Sequence, residues 1–338
     1  MKVGILGAGS WAIALSVLLH NRNHKISMWE FNKNDADMLR SNREHPVKLP
    51  GIKIPEDIFI TNDIETVAKC SEYIICAVPS QTMRSTMKLL VKSVGENDLQ
   101  KIMGWVMVAK GIEIESLCLM TDVLLEEIPG LDTDKIVALS GPSHAEEVSR
   151  EIPSTIVAAS DNHDLAVKIQ EEFSTESFRI YTSSDMRGVE LAGSIKNVIA
   201  VAAGICDGLG FGDNTKGALL TRGIAEMMRL GRKMGAQEAT FSGLAGIGDL
   251  ITTCISKHSR NRQMGELIAS GLTLEQALEK MTMVAEGVQT TKSAYLLSEK
   301  LGIEMPITRE VYKTLFQGKN AKIATRDLMV RELKPEWW

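Results

Sequence analysis

The sequence predicts a two-domain protein: an α/β unit built on a doubly wound, mostly parallel sheet, then a second, all-α domain. Three observations carry this. A glycine-rich turn, Gly7-Ala8-Gly9-Ser10-Trp11-Ala12, joins a short apolar strand to a helix at the start of the chain. Strand-like and helix-like segments alternate through the first half. After Thr182-Ser183-Ser184-Asp185 the strands stop and helical patterns take over. At 338 residues the chain exceeds one comfortable core, so domains are expected over 1–183 and 184–338.

The first strand is Lys2–Leu6. The turn after it reads G-x-G-x-x-A, the Rossmann-type fingerprint, whose last position takes Gly or Ala because helix and strand pack closely there. Gly7 permits the tight turn and Gly9 lets the backbone approach a pyrophosphate. Free N–H groups at the start of the helix over 12–20 face the phosphates. Alone, the pattern is also that of any glycine-rich turn before a helix; its place between strand and helix favours a dinucleotide. A second strand spans 25–30. Glu30, 21 residues after Gly9, stands near the ~20 expected of the acid that binds the adenosine ribose, with a solvated strand end as the plain alternative.

Further strands are expected over 58–61, 73–78, 105–109 and Ile136–Ser140, with helices over 81–91 and 116–127. Ligands of such sheets bind beyond the carboxyl ends of the strands. Three of those ends are chemically rich: Ala77-Val78-Pro79-Ser80-Gln81, Ala109-Lys110-Gly111-Ile112-Glu113 and Ser140-Gly141-Pro142-Ser143-His144-Ala145. Lys110 falls where the nicotinamide end of a cofactor would lie. An ordinary loop lysine is the alternative.

In the second half, Ser and Asp at 183–185 are helix-start residues. The run over 189–205 is apolar and small, as in a buried helix, yet it contains Lys196-Asn197. A lysine is seldom fully buried unless paired, although it can snorkel to the surface. Held in a cleft, its pKa would be lowered by burial and raised by an adjacent carboxylate, the tuning that proton transfer near neutrality requires. Helices follow over 218–230, Leu274–Lys280, 288–299, Pro306–Phe316 and 320–329, with Gly318 as a stop signal. Between them lies 243–262, GLAGIGDLITTCISKHSRNR. A glycine-rich turn delivers Asp249, and Ser259-Arg260-Asn261-Arg262 supplies donors suited to an anionic, hydroxylated small molecule. Thr253 reads equally as a site hydroxyl or a helix-facing one, and Arg262 as structural or solvated.

Composition excludes several classes. A net charge of −5 and a pI near 5.8 oppose non-specific binding to nucleic acid or an anionic membrane. The five cysteines have no C-x-x-C spacing, which suits reduced, buried structural thiols in a cytosolic protein. The six histidines have no ligand spacing, so no metal is expected, and His144 and His258 are not assigned to catalysis. The uncharged run over 3–19 resembles a short signal peptide, but its glycines and the lack of a cleavage pattern favour a strand turning into a helix. No other stretch reads as long and uncharged enough to span a bilayer.

With these residues assembled, the chain resembles the bacterial-type NAD(P)-dependent glycerol-3-phosphate dehydrogenase family over nearly its whole length. The markers are GAGSWA (7–12), LPGIKIP (49–55), AVPSQ (77–81), AKGIE (109–113), GPSHAEEV (141–148), ELAGSIKNVIA (190–200), GDNTKGALLTRG (212–223), GLAGIGDLITTC (243–254), SRNR (259–262) and VAEGVQT (284–290). Ten matches in order are far more specific than any one.

The resemblance implies interconversion of dihydroxyacetone phosphate and sn-glycerol 3-phosphate, feeding glycerophospholipid synthesis, by a cytoplasmic homodimer that neither binds nucleic acid nor inserts in a membrane. It implies cofactor contacts from Ser10, Trp11, Phe31, Lys110, Ala145, Arg260, Val284 and Glu286, beside Gly7, Gly9 and Glu30. Lys110, Gly141, Ser143, Lys196, Asp249, Ser259, Arg260 and Asn261 would surround the substrate. Lys196 would be the acid/base, oriented by Asp249, with Lys110 as a second donor. His144 replaces a commoner Phe, which affects local packing. Trp29-Glu30-Phe31 lacks the arginine many NADPH-using relatives place after this strand, so NAD(H) is expected over NADP(H). Two alternatives stay open: a related two-domain hydroxy-acid or hydroxyacyl dehydrogenase, and a non-catalytic nucleotide sensor on the same scaffold. Reaction direction, feedback, oligomer geometry and the role of Trp337 and Trp338 are not legible.

Overall fold

Strand β1 (Lys2–Leu6) sits where the chain changes direction across the sheet. In the computed structural model, which describes residues 1–336, β2 (Lys25–Trp29) and β3 (Phe59–Thr61) lie to one side of it. To the other lie β4 (Tyr73–Cys76), β5 (Gly104–Met107), β6 (Ile136–Ser140), β7 (Ser154–Ala159) and β8 (Phe178–Ser183). The order is β3-β2-β1-β4-β5-β6-β7-β8, parallel except for the β6–β7 pair. The reversal at β1 and β4 opens a crevice at their carboxyl ends, where doubly wound sheets bind ligands. Trp337 and Trp338 lie outside the described residues.

The inner strands are buried on both faces, β4 and β5 along their whole length. One face is covered by the helices Ser10–Asn21 and His163–Phe173, the other by Met83–Val94 and Met120–Glu127. Such double cover is why these strands read as continuous apolar runs. β7 and β8 were not anticipated. β7 (STIVAA) carries a β-branched Thr-Ile-Val run closed by two alanines, and β8 alternates buried Phe178 and Ile180 with outward Arg179 and Tyr181. Glu30, Val78 and Ala109 lie just beyond β2, β4 and β5 rather than within them, which puts them at the crevice. The helix expected from residue 116 starts at Met120, because Leu117 takes a positive φ of 64° and Ile112 bridges Leu119.

The second half is helical. Asp185 starts the long helix Met186–Gly208 by accepting from the Gly188 N–H at 2.9 Å. Contrary to the sequence reading, this helix is long and apolar enough to cross a bilayer by length and composition, and its apolar window lies wholly inside the protein. Asp213–Lys233, Asp249–Ile255, Arg260–Ala269 and Glu286–Leu301 pack around it. The closest approach is to Arg260–Ala269. A Cβ on Gly204 would fall 1.9 Å from the Arg262 carbonyl, and one on Gly265 would fall 2.1 Å from that of Val201. Backbone therefore meets backbone, and Asn197 is set beside Asn261. The thiols of Cys76, Cys206 and Cys254 are buried, but Cys70 is exposed and Cys118 half-buried, so the expectation of buried thiols holds for three of the five.

Candidate active site

Lys196 lies in the middle of the Met186–Gly208 helix, and its ammonium does not reach the surface. The Nζ donates to Asp249 Oδ1 at 2.6 Å and to Thr253 Oγ1 at 2.7 Å. Asp249 and Thr253 stand four residues apart on one face of their helix, and the Thr253 hydroxyl donates back to Asp249 Oδ1 at 3.2 Å. Lys110, just past β5, donates to the other carboxylate oxygen, Oδ2, at 2.7 Å. One buried acid thus holds two lysines, one from each half of the chain.

Burial pushes the Lys196 ammonium down from the ordinary lysine value to about 8, against the opposing pull of Asp249. Burial alone would raise the Asp249 carboxyl, but the charges of Lys110 and Lys196 outweigh it and hold it below its ordinary value. The anion is therefore kept while one of its cations is poised to titrate near neutrality.

Beyond β6, Gly141 takes a φ of 147°, and the Ser143 hydroxyl donates to the Gly141 carbonyl at 3.0 Å. Across the cleft, Ser259 caps the Arg260–Ala269 helix by accepting from the Arg262 N–H at 3.2 Å. His144 and His258 join these two loops, with ring centroids 6.0 Å apart. Burial and the neighbouring Lys196 lower the His144 pKa, which keeps its imidazole neutral. The sequence grouped Ser259, Arg260 and Asn261 as donors, and the structure separates them. The Asn261 amide donates to Asn197 Oδ1 at 2.9 Å and its oxygen accepts from the Gly287 N–H at 2.8 Å. Arg262 is structural, pairing with Asp207 at 2.6 Å and Glu266 at 2.8 Å. Arg260 is half-buried, with no hydrogen-bond partner among the described residues.

The dinucleotide crevice is built as the fingerprint requires. Gly7 has a φ of 110°, and a Cβ there would meet the Ala77 carbonyl at 2.7 Å, so only glycine fits. A Cβ on Gly9 would point into open space, and the helix after it starts without a side-chain cap. That leaves room and unpaired N–H groups where a pyrophosphate would lie, so these residues fit the cofactor. Ser10 donates to the Lys48 carbonyl at 2.5 Å, and Trp11 packs against Phe178 with centroids 6.3 Å apart. Glu30 is buried, accepting from the Asn32 N–H at 3.1 Å and facing Lys48 Nζ at 3.4 Å. Phe31 is 75% and Val284 54% exposed, and the Phe31 ring meets that of Trp29 edge-on with centroids 6.0 Å apart. Ala145 is buried at the start of a short helix. Glu286 reaches back to the first domain, accepting from Ser80 N at 3.2 Å and Ser80 Oγ at 2.6 Å.

Sequence reasoning gave no role to Asn197, Ser80 or Lys48, although it marked the strand end that holds Ser80 as chemically rich. Asn197 was visible beside Lys196, whereas Ser80 and Lys48 are brought in only by tertiary folding. No group of three or more His, Cys, Asp or Glu residues suited to a metal occurs among the described residues.

Two family models match the chain. The N-terminal model of NAD-dependent glycerol-3-phosphate dehydrogenase covers residues 2–166 and the C-terminal model of the same enzyme covers 185–326. A protein of Prosthecochloris aestuarii named glycerol-3-phosphate dehydrogenase [NAD(P)+] is 50% identical over 99% of this chain and 100% of its own. One of that name from Fusobacterium nucleatum is 45% identical over 99% of this chain and 98% of its own. The crystal structure of glycerol-3-phosphate dehydrogenase from Coxiella burnetii superposes with a TM-score of 0.92 at 31% identity, covering 98% of this chain and 99% of that one.

Proposed function

The chain belongs to the NAD-dependent glycerol-3-phosphate dehydrogenase family, and on that premise we propose how its residues carry the reaction. The reaction is NAD(P)-dependent interconversion of dihydroxyacetone phosphate and sn-glycerol 3-phosphate, which serves glycerophospholipid synthesis. Family membership favours it over the two alternatives that the sequence left open.

A nicotinamide, when bound, supplies the hydride to the ketone carbon and takes it back in reverse. The chain supplies the proton and the charge. In reduction, the Lys196 ammonium donates its proton to the carbonyl oxygen as negative charge develops there; in oxidation, the free amine takes the hydroxyl proton. Asp249 orients Lys196 and balances its charge. Lys110 places a second cation beside the same oxygen. Arg260 presents a planar fork to the phosphate, with Ser259, Ser143 and Gly141 near it. Asn261 acts by holding Asn197 and Gly287 in place as much as by touching substrate.

The observation that carries this reading is the single buried carboxylate of Asp249, bonded by Lys110 at 2.7 Å and Lys196 at 2.6 Å. The test is turnover, followed by nicotinamide absorbance, with dihydroxyacetone phosphate and with unphosphorylated dihydroxyacetone. Strong preference for the phosphorylated ketone is expected. Turnover of a non-phosphorylated hydroxy acid, with none of glycerol 3-phosphate, would contradict the reading.

For the cofactor we favour NAD(H). The Glu30 carboxylate at the end of β2 accepts from a ribose 2′-hydroxyl and repels a 2′-phosphate. Lys48, 3.4 Å from Glu30, supports a second reading in which NADP(H) is also used, because its ammonium offsets that repulsion. A cytoplasmic homodimer is proposed from the family resemblance. Sedimentation as a monomer at working concentration would contradict the dimer.

A further inference from the structure

Between the carboxyl ends of β5 and β6 and the first turns of the Met186–Gly208 helix lies a small cavity of about 10 Å³, lined in part by Lys110, Ser140, Val189, Glu190 and Gly193. That is close to the ~10–15 Å³ that one water molecule needs. Much of its lining is apolar, from Met107, Ala138, Leu139 and Val189, and its polar groups come from Ser140, Glu190 and Lys110. Ser140 is 5% exposed, and its hydroxyl has no hydrogen-bond partner. An enclosed hydroxyl left unpaired is costly, and few occur in folded proteins. Glu190 is also buried. Its carboxylate accepts from the Thr121 N–H at 3.1 Å and from the Thr121 hydroxyl. A carboxylate has about four acceptor sites, so two remain. Gly193 keeps the parts together: a Cβ there would stand 2.8 Å from Ser140 Oγ and 3.5 Å from Lys110 Cδ.

We infer that one water molecule occupies this cavity, bonded to the Ser140 hydroxyl and the Glu190 carboxylate, and that the three together hold the Lys110 stem where its ammonium meets Asp249. Ser140 and Glu190 are then positioning residues, acting through Lys110. The inference rests on the reading of Lys110 as part of the reacting centre. Burial pushes the Glu190 carboxyl up to about 7, Asp122 pushes the same way, and the Thr121 bonds and Arg187 oppose it. The Glu190 carboxyl therefore gives up its proton near neutral pH.

The test has two arms. A crystal structure of the full chain with bound dinucleotide, fine enough to place waters, should contain one within hydrogen-bond reach of Ser140 Oγ and Glu190. An empty cavity overturns the inference whatever the enzyme's activity, whereas a wild-type protein that turns over no glycerol 3-phosphate counts against the reaction instead. In the second arm, Ser140→Ala and Glu190→Gln should each lower kcat by roughly tenfold, with KM changed by less than about twofold. Glu190→Gln should also remove the fall in kcat that accompanies protonation of Glu190 below about pH 7. Should Glu190→Gln fail to fold, Ser140→Ala alone decides the second arm. Unchanged kcat and an unchanged pH profile in the folded variants would overturn the inference.

Discussion

The Lys196 ammonium lies 2.6 Å from the Asp249 carboxylate, and the two side chains are only 8% and 3% exposed. A charge pair so withdrawn from water is weak evidence for stability, since desolvation offsets much of its attraction. In the proposed mechanism its use is chemical. It keeps a lysine that titrates near neutrality inside a cleft where charge develops.

The pH dependence has a definite sign. Burial brings Lys196 down to about 8, so its ammonium is lost as pH rises through that value. Reduction needs the ammonium, and its kcat/KM is expected to fall above that pH. Oxidation needs the amine and rises through the same range. Profiles of kcat/KM in both directions check this. A reduction profile flat to the ordinary lysine pKa of about 10.4 would count against it.

Asp249→Asn removes the anion that supports both lysines. Lys196 then loses the charge that opposes its desolvation, and the alkaline limb moves below its wild-type position. Breaking the buried pair should destabilise the fold by about 3–5 kcal/mol, measurable by urea unfolding. An alkaline limb that stays in place would separate Asp249 from the titration of Lys196.

Arg260→Ala should weaken dihydroxyacetone phosphate far more than dihydroxyacetone. A charge-assisted bond contributes about 1.5–3 kcal/mol, so KM for the phosphorylated ketone should rise roughly ten- to hundredfold. Steady-state kinetics on both ketones would measure it. Equal effects on the two would place the phosphate elsewhere.

Cofactor choice turns on Glu30 and Lys48. Glu30→Gln should raise the ratio of kcat/KM for NADPH over NADH by roughly tenfold, because a like-charge contact is removed. Lys48→Met should shift the ratio the other way. If neither variant moves it, the adenosine ribose does not lie at the end of β2.

Glu226 tests the helical domain apart from catalysis. Its buried carboxylate accepts from the Ile307 N–H at 2.5 Å and from Thr308 N and Oγ1 at 3.2 and 3.0 Å, so it caps the helix Pro306–Phe316 from another element. Glu226→Ala leaves those donors unpaired and should cost about 2–4 kcal/mol of stability, with kcat of the folded enzyme little changed. Urea unfolding beside an activity assay would separate the two effects.

Much of this was legible in the sequence. The strand–glycine–helix start, Lys110 beyond a strand end and the lysine in an apolar helix were all readable, because local pattern encodes them. Asp249 and Thr253, four apart, could have been paired from spacing alone. What was not legible depends on tertiary contact. Lys48 comes to Glu30 through a loop with no pattern of its own. Glu286 meets Ser80 from the other half of the chain, and Asn261 turns inward to Asn197 because glycines let two helices touch. The segment 243–262 read as a glycine-rich turn followed by a group of donors, with no helix bounds assigned. In the structure Asp249–Ile255 and Arg260–Ala269 are helices, and the glycines before Asp249 form a single wide turn over Leu244–Gly248.

The most direct test of the central claim is the effect of Lys196→Ala on reduction of dihydroxyacetone phosphate. If Lys196 is the acid/base, kcat should fall roughly 10²–10⁴-fold while KM changes little, because the lost interaction belongs to the transition state. A folded Lys196→Ala enzyme that keeps kcat within about tenfold of wild type would contradict the account.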